Sequence, residues 1–207
     1  MTSLTVWQIE LIPWYLFGGY WLITWLRCVH RTKVREKSTD RLLTVAVVVL
    51  AYNLLFADWL RIGPLRLRFV PPKPWVAYIG IALTCAGVAI AIWARYSIGV
   101  YWSARVTLKE GHQLVRSGAY AFVRHPIYTG MFLGAVGTAL VIGGWRGVLA
   151  VGLLLVAHSR KANREESLLT SEFGEQYVSY RKSTGFLFPR ISWRVGPMTP
   201  SDNIKNR

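Results

Sequence analysis

The chain has 207 residues, 53% of them hydrophobic, with ten tryptophans and a mean hydropathy of +0.30, which excludes an ordinary soluble domain with a solvated exterior. Its formal charge of +15 invites a nucleic-acid reading, but the basic residues collect between apolar runs, so no nucleic-acid partner is expected. Two cysteines, Cys28 and Cys85, and four scattered histidines offer neither a disulfide framework nor the paired spacing of a metal site, and no metal is expected.

A hydrocarbon layer of about 30 Å takes roughly 17–25 residues of helix to cross. Trp7 to Leu26, Leu42 to Leu60 and Trp75 to Ala94 meet that length. The first run lacks the basic region of a cleaved signal peptide. In it Trp7, Trp14 and Trp21 recur at heptad spacing, with Trp25 one turn beyond Trp21, an aromatic stripe for packing or interfacial anchoring. "RFVPPKPW", Arg68 to Trp75, is a proline-stiffened turn that cannot continue a helix. Two shorter runs, Pro126 to Ile142 and Trp145 to Ala157, are joined by "GGWRG", a tight hairpin turn. The fold expected is all-α: a polytopic membrane bundle of about five transmembrane helices with a cytosolic C-terminal amphipathic helix.

Charge orients this bundle. Arg27, Arg31, Lys33, Arg35, Lys37 and Arg41 follow the first run, and Arg95, Arg105, Lys109, Arg116 and Arg124 follow the third. A further basic set follows the fifth, so an external N-terminus puts all three sets on the cytoplasmic side. Arg61, Arg66, Arg68 and Lys73 then face outward, against that bias. Anionic membrane lipid is the partner expected for most of this charge. No repeat or linker divides the chain. One integral-membrane domain is expected over 1–196, with 1–94 as scaffold and 101–190 carrying the chemistry, and 197–207 as a flexible tail.

The polar stretch after the fifth run reads as an amphipathic helix leaving the last span and lying across the cytoplasmic face. His158, Lys161, Glu165 and Glu172 share one side of it; Glu166, Leu169 and Phe173 share the adjacent side. A break is expected at Gly174, followed by Tyr177, Tyr180 and Arg181.

"GAYAFVRHPIYTG", Gly118 to Gly130, marks the other chemical boundary. Pro126 fixes its own φ and pushes its predecessor out of the helical region, so His125 should be extended and Pro126 the first residue of the fourth span. The exposed helix start and Arg124 together favour an anion, and a carboxylate would suit the place. Upstream, "GHQLVRSGAY" is too polar to span and too apolar to be freely solvated, and is expected to fold back beneath the bundle. Downstream, Tyr128, Gly130, Gly134 and Gly137 lie on or near one helix face, where small residues let another helix approach.

"HQLVRSGAYAFVRHPIYTG" followed by "REESLLTSEFGEQYVSYRKSTGFLFP" resembles the C-terminal signature of the isoprenylcysteine carboxyl methyltransferase family, including its bacterial and archaeal relatives, over about His112 to Pro189. The resemblance implies a multi-pass membrane enzyme using S-adenosylmethionine, with its active site facing the cytoplasm. By position it implies a cofactor pocket of His112, Gln113, Leu114, Val115, Tyr120, His125, Pro126, Ile127, Tyr128 and Glu165, with Glu166 beside it. A basic residue four positions before that glutamate is implied to face the substrate carboxylate. It is an arginine in eukaryotic members and Lys161 here, with Arg160 adjacent, and lysine keeps the charge without the bidentate fork. Lys161, Arg160 and Arg124 are the candidate catalytic residues. Arg105 stands where eukaryotic relatives have a glutamine touching the cofactor.

The residues suit such a donor on physical grounds also. A sulfonium, an amino acid end and ribose hydroxyls call for an acidic acceptor such as Glu165, N–H donors near His125 to Tyr128, and aromatic or aliphatic walls. The expected acceptor is lipophilic or prenylated, with a prenylcysteine-type carboxylate first, and a phospholipid amine or small thiol as alternatives. Two readings from other classes are an NADPH-dependent sterol-reductase-like membrane enzyme and a non-enzymatic membrane scaffold.

Overall fold

Five long helices follow the five apolar runs in the computed structural model, which describes residues 3–26, 32–35, 38–102, 107–109 and 113–190. They are α1 (Ser3–Leu26), α2 (Ser38–Phe56), α3 (Pro74–Ile98), α4 (Pro126–Ile142) and α5 (Trp145–Phe173), followed by a short α6 (Glu175–Ser183). Cys28, Arg105, His112 and the tail 197–207 lie outside the described residues.

Local chemistry sets the boundaries. Pro74 and Pro126 open α3 and α4, where a missing N–H costs no intrahelical bond. Gly143 closes α4 at φ +64°, and Gly174 ends α5 at φ +51°, conformations that a Cβ disfavours. His125 has φ −126° and ψ 58°, outside the helical region but short of the extended conformation expected for it.

The expected all-α architecture holds in outline, and three details add to it. The polar stretch expected to leave the last span continues it: α5 runs unbroken for 29 residues, because no proline or glycine between Leu153 and Phe173 interrupts it. A small ribbon accompanies the helices. β1 (Thr32–Arg35) and β2 (Thr107–Lys109) pair as an antiparallel ribbon, Thr32 opposite Lys109 and Arg35 opposite Thr107. Finally, among the described residues only α3 is both long and apolar enough to cross a membrane by length and composition, with α4 a shorter apolar helix. Two of the others dilute their apolar runs, α1 with Glu10, Pro13 and tyrosines, and α5 with its charged second half.

The tightest seam lies between α3 and α4. A Cβ on Gly87 would sit 2.5 Å from the Gly130 carbonyl oxygen, and one on Gly80 would sit 2.7 Å from that of Gly137. Glycine at these places lets the two backbones touch, which is how helices associate when lipid removes the hydrophobic drive between them. A buried polar knot ties α1 to this pair. Thr84 and Thr138 donate to Glu10 Oε1 at 2.7 and 2.6 Å, and the Trp14 indole donates to Thr138 Oγ1 at 2.9 Å. Glu10 is fully buried. The tryptophan stripe faces neighbouring helices: Trp14 packs on Phe56 at 5.7 Å and Trp21 on Trp102 at 5.5 Å, leaving Trp25 57% exposed. α2 and α5 close the other side through Ala51, Leu54 and Leu55 against Ala150 and Leu154, with Ala135 of α4.

The glycine seam is testable against an open position. Gly87→Ala should lower the stability of the detergent-purified chain by about 1–3 kcal/mol, the usual cost of overpacking. Gly152→Ala, where a Cβ meets nothing within 4 Å, should leave it unchanged or raise it; equal melting temperatures for the two variants would contradict the seam.

Candidate functional site

One end of the bundle gathers the C-terminal half of α1, the start of α2, the end of α3, the start of α4 and the second half of α5 around a cavity of about 340 Å³. Its polar side carries Arg124, His125, Tyr128, Lys161 and Glu165, and its apolar side Trp21, Val45, Val48, Ile98 and Trp102. A charged corner and an apolar arm thus share one space.

The two adjacent glutamates of α5 have different partners. Glu166 is gripped by cations: Arg124 Nε at 2.6 Å and His125 Nε2 at 3.2 Å on one oxygen, Arg181 Nε at 3.2 Å on the other. Its side chain is only 7% exposed and lies outside the cavity lining. Glu165 is 24% exposed and faces the cavity, accepting the Tyr128 hydroxyl at 2.6 Å with His125 Nδ1 at 3.5 Å. Consecutive residues on a helix sit about 100° apart, so one carboxylate locks the architecture while its neighbour stays accessible.

Electrostatics follow from this geometry. Burial alone would push His125 down, but its hydrogen bonds to Glu165 and Glu166 raise it above its ordinary value. Burial would raise Glu166, yet His125 and Arg124 hold it down at about 2. Glu165 is lowered as well: its burial opposes ionisation, and His125, Lys161 and Tyr128 outweigh it. The two carboxylates flanking the His125 ring therefore favour its protonated form. Burial also raises the phenols of Tyr120 and Tyr177 and pushes Tyr180 up to about 12, which keeps them neutral hydrogen-bonding groups.

Aromatic rings build the rest of the wall. His125, Tyr128 and His158 form a stack with centroids 5.8 and 5.1 Å apart, and the Lys161 ammonium lies 5.6 Å from the Tyr128 ring. Arg95, 3% exposed, sits 4.4 Å over Trp102 and donates to the carbonyls of Gly99 and Thr24. This joins α1 and α3 behind the apolar arm.

The segment after α6 fastens the site from below. Arg124 N–H donates to the Gly185 carbonyl at 2.8 Å, His125 N–H to Phe186 at 3.3 Å, and the Thr129 hydroxyl to Leu187 at 2.6 Å. The Arg124 guanidinium also donates to the Thr184 carbonyl, and the Tyr180 hydroxyl to that of Tyr120 at 2.6 Å. Residues 118–121 form a short 3₁₀ turn with Ala119 and Tyr120 buried against Ala94 and Trp102, so the end of the polar segment packs onto the bundle.

Of the residues singled out in the sequence, Tyr120, Arg124, His125, Ile127, Tyr128, Lys161 and Glu165 line the same cavity. Gln113 is exposed, Leu114 and Val115 are half-buried, Pro126 is buried beneath the corner, and Arg160 is exposed; none of these five lines it. The apolar arm from α1 and α2 was not foreseen, nor was His158 as a wall residue. Periodicity carried a signal for both: Val45, Val48 and Val49 repeat at helical spacing, and His158 precedes Lys161 and Glu165 by three and seven residues.

With this geometry established, likeness to known proteins decides the kinship. Residues 80–171 match the model described as the isoprenylcysteine carboxyl methyltransferase (ICMT) family. This stretch belongs to that family. It covers most of α3, all of α4 and nearly all of α5, so it starts earlier and stops earlier than the motifs from His112 to Pro189. A protein-S-isoprenylcysteine O-methyltransferase of Schizosaccharomyces pombe is 35% identical over 114 residues, 54% of this chain and 48% of that protein. One of Xenopus laevis is 27% identical over 192 residues, 85% of this chain and 65% of that protein. The chain spans less than two thirds of the length of either. Among solved structures, the eukaryotic intramembrane Ras methyltransferase ICMT gives a TM-score of 0.49 at 25% identity, covering 76% of this chain and 55% of that one.

The ion cluster has a pH signature. His125, raised above its ordinary 6.5, contributes stability that is complete below pH 6.5 and is lost as pH climbs through its raised value. Glu166, lowered from 4.5 to about 2, contributes stability that is complete above pH 4.5 and is lost as pH falls toward 2. The cluster's contribution should therefore be greatest between pH 4.5 and 6.5. Melting temperatures across pH should show His125→Gln removing part of the alkaline decline; identical profiles for parent and variant would contradict the cluster.

Proposed function

We propose that the chain is a multi-pass membrane methyltransferase that moves a methyl group from S-adenosylmethionine to a lipophilic acceptor, with a prenylcysteine-type carboxylate as the substrate class. The observation that carries this reading is the union, in one cavity, of an accessible Glu165 carboxylate, a lysine and an apolar arm. In this reading α1 to α5 are five spans, the cavity opens to the cytoplasm, and the charged half of α5 stands clear of the hydrocarbon. At about 1.5 Å per residue, the 29 residues of α5 exceed a hydrocarbon layer of about 30 Å.

The donor set suits the cofactor. Glu165 offers a carboxylate to ribose hydroxyls or to the cationic part of the molecule, held in one orientation by Tyr128 and His125. Tyr120, Ile127 and Tyr128 supply the aromatic and aliphatic wall. Gln113, Leu114 and Val115 precede the 3₁₀ turn of Gly118–Ala121, and Glu166 and Pro126 support the corner from behind. When bound, S-adenosylmethionine supplies an electrophilic methyl group and leaves as S-adenosylhomocysteine. Lys161 meets the acceptor carboxylate and holds one oxygen toward the centre of the cavity, and the exposed Arg160 strengthens the field at the mouth. Arg124 acts through Glu166, as a positioning residue. A carboxylate is already nucleophilic, so these residues need only align it and exclude water.

Isothermal titration of the purified chain with S-adenosylhomocysteine should show binding that Glu165→Gln weakens by about tenfold or more, the loss expected for a charge-assisted contact. With a farnesylcysteine analogue, Lys161→Gln should abolish the base-labile methyl ester that releases methanol in mild alkali, whereas Lys161→Arg should keep it. A folded chain that gives no heat with S-adenosylhomocysteine would overturn the assignment.

A further inference from the structure

The opposite end of the bundle carries charge that methyl transfer does not use. There the starts of α1, α3 and α5, the end of α4 and the connection between α2 and α3 enclose a second cavity of about 590 Å³. Arg61, Arg66, Arg68, Lys73 and Arg146 line it against a single carboxylate, Asp58. Arg61 Nη2 takes an oxygen of that carboxylate at 2.9 Å, and Arg146 reaches the same oxygen only at 3.8 Å. Arg146 is 3% exposed, and its Nη1 donates to the Ala57 carbonyl at 3.2 Å. Arg68 is pinned to the α4–α5 turn by a backbone bridge to Gly144, and its Nε donates to the Val70 carbonyl at 2.9 Å.

Five cations thus share one carboxylate, and the deepest of them is buried. Such an array repels itself and leaves the Arg146 charge poorly compensated unless an anion enters. The remaining wall is apolar, with Trp7, Pro72 and Ile142 beside the cations. A group that carries negative charge on several oxygens, attached to a greasy body, matches both walls, and guanidinium forks match phosphate in particular.

We propose that this cavity binds a phosphate group, presented either by the headgroup of an anionic phospholipid or as free phosphate. The site is independent of the methyl-transfer reading and lies at the other end of the molecule. Arg66 and Lys73 are exposed at its rim, so they can be altered without disturbing the core.

The experiment uses the full chain in two arms. In the first, nanodiscs of phosphatidylcholine doped with phosphatidylglycerol are dissolved gently and the lipids retained by the protein are counted by native mass spectrometry. In the second, the lipid-stripped chain in detergent is titrated with inorganic phosphate. Binding in either arm should fall about tenfold in the Arg66→Gln/Lys73→Gln double variant, the scale of one or two charge-assisted contacts. It should persist in Arg66→Lys/Lys73→Arg, with both variants melting as the parent does in the absence of phosphate and lipid. Selective retention of phosphatidylglycerol with no phosphate binding assigns the site to lipid; saturable phosphate binding without lipid selectivity assigns it to free phosphate. Binding that is absent from both arms, or equal in parent and double variant, overturns the proposal.

Discussion

The grip of Arg124 and His125 on Glu166 is the contact on which the rest of the site depends. It joins the residue before α4 to the second half of α5, two points 41 to 42 positions apart in sequence. Because Glu166 is nearly buried, removing a partner would strand a charge in a poor solvent, a change that typically costs more than the pair itself stabilises. The cluster therefore fixes the angle at which α5 passes the start of α4. It also fixes the rotation of α5 about its own axis, and that rotation turns Glu165 toward the cavity and Lys161, one turn earlier, onto the same wall.

Everything else in the fold serves to hold those two helices in place. α4 is located by backbone contact with α3 across Gly87 and Gly130, which tolerates little sliding. α5 is located by α2 through Leu54, Leu55 and Leu154. The chain after α6 returns to cross under the Arg124–Pro126 corner, and its backbone satisfies the N–H groups of Arg124 and His125. The result is a bundle with two chemically distinct ends: one has a carboxylate and a lysine beside an apolar arm, and the other has crowded cations.

Much of this was legible in the sequence because the signals were local. Prolines at 74 and 126 and glycines at 143 and 174 mark helix ends through their own backbone preferences, and the structure ends its helices there. The motif around His125 and the pair Glu165 and Glu166 were equally visible. What could not be read was that Glu166 is held by Arg124, His125 and Arg181, since that depends on where Arg181 and the returning chain sit, contacts with no periodicity of their own. The apolar arm escaped for the same reason, because it is assembled from α1 and α2, whose residues look like packing in any bundle. Glu10 sits in an apolar run as an apparent anomaly, and it becomes intelligible only once Thr84 and Thr138 are brought to it from two other helices. The ribbon of 32–35 with 107–109 joins segments too short to announce themselves beside helices this long.

The division of labour between neighbouring carboxylates is the central claim, and a high-resolution structure of the full chain in lipid with S-adenosylhomocysteine bound tests it most directly. The account requires the nucleoside to lie within hydrogen-bonding reach of Glu165 between Tyr120 and Tyr128, while Glu166 stays on Arg124 and His125. A ligand seated on Glu166 with Arg124 released, or bound away from both glutamates, would contradict it.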